Sequence, residues 1–172
     1  MSAISTPFGD APKGLFREPP SCYLHRQASF ISSFFPEEAE LGKNIAVFPF
    51  PSIKPEFGTP ILVAGDVFGM FNETPESKAL LEYLATPEPH EIWAKLGGFI
   101  SPHQKVALDV YPDPVTKQQA EILANAETIR FDGSDMMPSS VGTGTFWSGI
   151  IDFVGGKSVE KVLAEIEKSW SF

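Results

Sequence analysis

The chain is short of cysteine, of positive charge, of histidine and of long apolar runs, and each shortage removes a class of function. Its single cysteine, Cys22, excludes an internal disulfide and every CxxC redox or metal motif. Its 13 Lys and Arg stand against 22 Asp and Glu, a formal charge of −9, so phosphate backbones and anionic lipid are repelled and nucleic acid is not an expected partner. There are three histidines, His25, His90 and His103, and no GxSxG, HExxH, Walker loop, GxGxxG or His-Cys cluster, which leaves catalysis without a foothold. No apolar stretch approaches the roughly 20 residues of a membrane helix. The opening MSAISTPFGDAPKG has neither the basic nor the apolar region of an export signal.

What is present suits one globular domain, or part of a larger one. The 172 residues can bury a core, and Gly and Pro, at 14 and 16, fall short of a low-complexity composition. Residues 1–21, rich in Pro, Gly and Ser, read as an irregular lead-in that Leu15 and Phe16 could anchor. Over 22–35 a short strand feeding a short helix is expected, with Ala28, Ile31, Phe34 and Phe35 at helical spacing before Pro36 stops them. NIAVFPFPSI lacks backbone donors at Pro49 and Pro51, so it should lie at a sheet edge or leave the sheet. TPILVAGDVFGMFN gives two apolar runs broken at Ala64-Gly65-Asp66, a break that suggests a bulge or close backbone approach.

Helix signals fill the remainder. Thr-Pro-Glu at 74 and again at 86 supplies an N-cap residue, a first-turn proline and an early acid. The second of these helices should end at Gly97-Gly98. VTKQQAEILANA gives a third helix, Thr145 can cap FWSGIIDFVGG, and Ser158 can cap VEKVLAEIEKSW. In the last, Val159, Val162, Leu163, Ile166 and Trp170 form one apolar stripe. The sum is a mixed α/β or α+β architecture of several helices around short strands.

Two stretches hold chemistry that a core does not need. DGSDMMPSSVGTGTFW, residues 132–147, packs acids, hydroxyls, glycines and an indole together, and CYLHRQ, residues 22–27, joins an aromatic to donors and acceptors. Its opening resembles a calcium loop, but the remaining oxygen ligands and the closing Glu are missing, so no metal site follows. A polyhydroxylated ligand fits better. Vicinal hydroxyls suit carboxylate, guanidinium and amide groups, and the apolar face of a sugar suits an indole or phenol. Trp93 and Trp170 lie on amphipathic stripes and read as core. Trp147 follows Phe146, which already matches the buried stripe, so its ring is left to face a cleft.

Taken in order, CYLHRQASFISSFFP, FPFPSI, AGDVFGMFNETPESKALLEYLATPEPHEIWAKLGGFISP, RFDGSDMMPSSVGTGTFWSGIIDFVGG and VEKVLAEIEKSW resemble the C-terminal half of the bacterial extracellular solute-binding proteins that deliver sugars to ABC transporters. The resemblance implies the C-terminal portion of a class II periplasmic binding fold, in which two lobes close on a ligand by hinge bending. It implies that residues 22–50 belong to the C-terminal lobe. Residues 60–128 would supply crossing strands and helices of the other lobe, and 129–172 the return. It also implies a longer parent, periplasmic or extracellular and membrane-anchored, whose first half carries the export signal this chain lacks.

By the same resemblance Trp147 matches the aromatic that stacks on sugar, and Tyr23, His25, Arg26 and Gln27 fall in the segment that contacts it from the C-terminal lobe. Asp66 matches a hydroxyl acceptor near the hinge, and Asp135 a weaker one from the SDMMP turn. The implied partners are a mono- or oligosaccharide and the membrane permease of the transporter. No cofactor is implied. The isolated segment could associate with itself to cover exposed surface. Two other readings stay open: a stand-alone structural or interaction module, and a glycoside hydrolase using Asp132 and Asp135. The second suffers because acids three residues apart in one loop do not flank a glycosidic bond.

Overall fold

The structure is a computed structural model that describes residues 2–170, with side chains from residue 4 onward. It is a mixed α+β chain of short elements. Six α-helices are described: α1 Ser2–Ser5, α2 Pro75–Leu84, α3 Pro87–Leu96, α4 Pro114–Ala124, α5 Trp147–Val154 and α6 Val159–Lys168. Two strands, β1 Ile61–Val63 and β2 Ile129–Phe131, form the sheet. The Ile61 amide donates to the Thr128 carbonyl and the Asp132 amide to the Val63 carbonyl, both at 2.9 Å, which is the slanted pattern of a parallel pair.

The chain divides into two compact units. Unit 1 is Met1–Phe8, Leu62–Gly65 and Ile129–Phe172, and unit 2 is Gly9–Ile61 and Asp66–Thr128. Residues 22–50 thus share a unit with 66–128.

The helix starts follow from local chemistry. The Thr74 hydroxyl accepts from the Ser77 amide with Pro75 in the first turn, and the Ser158 hydroxyl caps α6 by accepting from the Lys161 amide. Asp113 Oδ1 accepts from the amides of Val115 and Thr116, at 2.9 and 2.8 Å, and starts α4. At Thr86 the residue type is right but the bond differs: its hydroxyl donates to the Tyr83 carbonyl at 2.7 Å, joining the end of α2 to the start of α3. Gly97, at φ +82, ends α3 in the left-handed region that only glycine enters cheaply.

Three expected elements take another form. No strand forms at 22–27, and the helix expected over 28–35 is a 3-10 helix, Ser29–Phe34, with Ile31 buried. The lead-in is not wholly irregular, since Phe8–Phe16 is also 3-10 and Gly14 accepts from the Ser21 amide at 2.9 Å. After β1 the second apolar run stays extended without a strand partner, and Val67 and Phe71 stand 88% and 102% exposed. A strand exists only where another strand satisfies its amides, and β2 pairs with 61–63 alone.

Each unit has its own core. In unit 2, Ala94 of α3, Val106, Tyr111 and Ala120 of α4 are buried together, with Phe99, Ile100, Leu108 and Val110 against them. In unit 1, Val141, Val162 and Ile166 are buried with Met137, Phe146 and Trp170 around them. Gly149 brings α5 onto α6: a Cβ there would stand 2.9 Å from Val162 Cγ1 and 3.0 Å from Ile166 Cδ1. Trp170 therefore serves as core, and Trp93 stacks on Phe99 with ring centroids 4.4 Å apart.

Candidate functional site

The 132–147 stretch folds as a turn that runs into a wide helix. Asp132 Oδ1 accepts from the Ser134 amide at 2.9 Å and from its hydroxyl at 2.7 Å, a local turn that occupies this carboxylate. Met137 packs toward the unit 1 core and Met136 is exposed. From Ser140 to Phe146 the backbone is a π-helix, which continues directly into α5 at Trp147. Gly142 is what lets this turn lie against the chain before it, because a Cβ there would stand 2.4 Å from the Ser134 carbonyl oxygen. Hydroxyls bond carbonyls of the widened turn: Thr143 donates to Ser139 at 2.8 Å and Ser148 to Gly144 at 3.1 Å.

Thr145 does not cap α5. The helical backbone begins upstream at Ser139, so no free first-turn amides remain at Thr145 for a cap to satisfy. Its hydroxyl instead pairs with that of Ser169 at 2.6 Å and ties the turn to the end of α6.

The π-to-α junction separates two adjacent aromatics. Phe146 packs on the Val141–Val162–Ile166 core, while Trp147 is 65% exposed. Its indole presents an apolar plate and one N–H donor to the surroundings. Asp135, in the same unit, is exposed in the turn.

The other expected residues lie in unit 2. Tyr23 is 80% exposed, and Arg26 holds its guanidinium carbon 5.7 Å from the Phe50 ring centroid, a cation–π contact worth about 0.5–1 kcal/mol when exposed. Gln27 Oε1 accepts from the Ala28 amide at 2.9 Å. His25 is half-buried, and its Nε2 is buried with no hydrogen-bond partner among the described residues. Asp66 is exposed in the extended segment after β1. The expected set is thus divided, with Trp147 and Asp135 in unit 1 and Tyr23, His25, Arg26, Gln27 and Asp66 in unit 2.

Some polar groups the sequence left without a role have one. His90 Nε2 lies 3.0 Å from the Leu84 carbonyl and Nδ1 2.9 Å from the Ser101 hydroxyl. The carbonyl requires a donor, so the imidazole carries its proton on Nε2 and accepts from Ser101. The Ser101 amide in turn donates to the Tyr111 hydroxyl at 3.0 Å, a bond that reaches into the core. Unit 2 also has a cavity of about 290 Å³ between the 3-10 turn at Ser29–Phe34, Leu41, the end of α3 and the start of α4. None of its lining residues was singled out by the sequence, because they come from four separate segments. Only Asp113-Pro114 carried a legible signal, that of a helix start.

Two ionisable groups are shifted. Backbone hydrogen bonding, with a smaller contribution from the Thr74 hydroxyl, lowers the carboxyl pKa of Glu76 below the usual carboxylate range. Lys157 sits 2.5 Å from Glu165 and 3.1 Å from Asp152, and these bonds, Glu165 first, raise its ammonium pKa above the ordinary lysine value. Both are surface groups that stabilise helix ends or helix pairs. Among the described residues no three His, Cys, Asp or Glu side chains converge to hold a metal, and no helix is long and apolar enough to cross a membrane.

An exposed aromatic plate beside acids and hydroxyls defines a surface suited to holding a solute. The chain is a homologue of solute-binding proteins, and its mixed helices and short strands are compatible with part of a periplasmic binding protein fold. It is 56% identical over 170 residues, 99% of its length, to the osmoprotective compounds-binding protein GgtB of Synechocystis sp.. It is 50% identical over 171 residues, 98% of its length, to the alpha-glucosides-binding periplasmic protein AglE of Rhizobium meliloti. The chain spans 40% of the length of the first and 37% of the second. No family model and no solved structure matches it.

Proposed function

We propose that this chain is the C-terminal half of a sugar-binding component of a bacterial ABC transporter, which captures a carbohydrate reversibly and delivers it to a membrane permease without catalysing its conversion. In this reading the parent works in the periplasm or outside the cell. The printed names of the relatives support the ligand class: one binds alpha-glucosides and the other osmoprotective compounds. The binding function belongs to the two-lobed parent, and this segment contributes the indole platform.

The observation that carries the reading is Trp147. A tryptophan 65% exposed, held at a π-to-α junction while its neighbour Phe146 anchors the same turn in the core, is a rigid plate presented outward. π-turns within helices are rare and concentrate at functional sites. Asp135 lies in the same unit as a hydroxyl acceptor. Tyr23, His25, Arg26, Gln27 and Asp66 are assigned to the same ligand from the other unit.

Calorimetric titration of the parent with maltose and sucrose, two alpha-glucosides, tests this. Trp147→Ala is expected to weaken binding by about 1–3 kcal/mol, the cost of losing a well-packed aromatic anchor. Unchanged affinity would remove Trp147 from the site. Turnover of chromogenic glycosides would instead point to a hydrolase, and failure of any sugar to bind would favour an interaction module.

A further inference from the structure

We propose that unit 2 carries a second binding site, at the cavity between the 3-10 turn Ser29–Phe34, the end of α3 and the start of α4, and that its ligand is a small neutral polyol the size of one hexose ring. The inference stands apart from the Trp147 reading and uses none of its residues. The cavity measures about 290 Å³, the lower edge of the small-molecule range of about 300–1,000 Å³. It has room for one ring rather than an oligosaccharide.

The lining selects the chemistry. Asp113 brings the only ionisable side chain, with Ser32, Ser33 and Thr116 as hydroxyls, Leu41 and Leu96 as apolar walls, and Gly97-Gly98 as backbone. With a carboxylate present and no Lys or Arg, an anionic ligand is repelled, whereas alcohol O–H groups find an acceptor. The leucines suit the C–H face of a ring.

Asp113 is fixed before any ligand arrives. Its Oδ1 accepts from two α4 amides and its Oδ2 from the Thr116 hydroxyl at 2.6 Å, which leaves acceptor capacity on Oδ2. That pre-organisation lowers the ordering cost of binding. The Ser33 hydroxyl is exposed and has no partner among the described residues, so it is free to donate or accept. Gly97 and Gly98 sit at φ +82 and +68. They leave that wall without side chains, and a Cβ on Gly98 would stand 3.6 Å from Ser33 Oγ, in the space a ligand would use.

The test is a titration of the isotope-labelled chain with D-glucose, followed by amide chemical shifts. The Ser33, Gly97 and Gly98 amides are expected to move together and saturate. Ser33→Leu, at an exposed position, should fill the mouth and abolish these shifts while the circular dichroism spectrum stays native. Asp113→Asn keeps a good helix cap and should weaken the titration about tenfold, the factor a charge-assisted hydrogen bond is worth. In Trp147→Ala the shifts should persist, and their loss there would merge the two sites and overturn the proposal. Silence of Gly97 and Gly98 at saturating glucose, or shifts retained in natively folded Ser33→Leu, would also overturn it. A stronger response to choline than to glucose would replace the neutral ligand with a cation and refute the assignment.

Discussion

Gly142 and Gly144 lie two positions apart in the π-turn that leads to Trp147, yet their surroundings differ sharply. A Cβ at 142 would press to 2.4 Å on the Ser134 backbone oxygen, whereas at 144 the nearest atom, the Ser139 carbonyl oxygen, is an ordinary 3.5 Å away. Neither glycine has a positive φ, so the contrast isolates packing from backbone strain. Gly142→Ala is expected to cost about 1–3 kcal/mol by overpacking against backbone that cannot yield. Gly144→Ala should be neutral or stabilise by up to about 0.5–1 kcal/mol, the usual advantage of alanine inside a helix. Urea denaturation of the two variants decides this, and equal midpoints would contradict the close approach at 142. The exposure of Trp147 has the same origin in neighbouring residues: Phe146 takes the core place, and the next side chain must point elsewhere.

Among the elements, α2 gives the sharpest pH expectation. The carboxyl of Glu76 has a lowered pKa in the folded chain, so the folded state binds this proton more weakly than the unfolded state does. Its contribution is present above the unfolded carboxylate pKa and is lost as pH falls through the lowered folded value. Glu76→Gln should flatten the acid-side loss of α2 order, measured by hydrogen exchange at the α2 amides across that window. A variant with an unchanged acid profile would show that the first turn does not depend on this charge. The helix starts were legible in sequence because Thr-Pro-Glu, Asp-Pro and Ser-Val-Glu act on amides two or three residues away. The type of helical turn was not. Apolar spacing of three to four residues fits 3-10, α and π winding alike over one or two turns, so Ser29–Phe34 and Ser140–Phe146 could not be told from α-helix. The Thr145 cap failed for the same reason, because helical winding starts upstream in a Gly-rich stretch that reads as loop. The strand expected after Gly65 depended on a pairing partner that local sequence does not encode.

The chain as a whole exposes more than compact bodies of its size do. Its accessible surface is 12,961 Å², while even two fully separate compact units of these lengths would expose about 10,000 Å² by the scaling of folded proteins. Much of the excess is apolar, with Phe71, Val67, Ile53 and Tyr23 each four-fifths exposed or more. Surface of that kind is covered in solution. The isolated chain is expected to associate with itself as concentration rises and to bind a hydrophobic dye. Light scattering coupled to size-exclusion chromatography checks this, and a monomer at every concentration that leaves the dye dark would count against it. The interleaved course of the chain has a practical consequence for engineering. Unit 1 is assembled from three stretches and unit 2 from two, so neither is a cassette. A chimera that borrows unit 1 from a homologue must exchange the first residues, the four at 62–65 and the last stretch in a single step, and a graft of the C-terminal helices alone would place foreign neighbours inside a native frame.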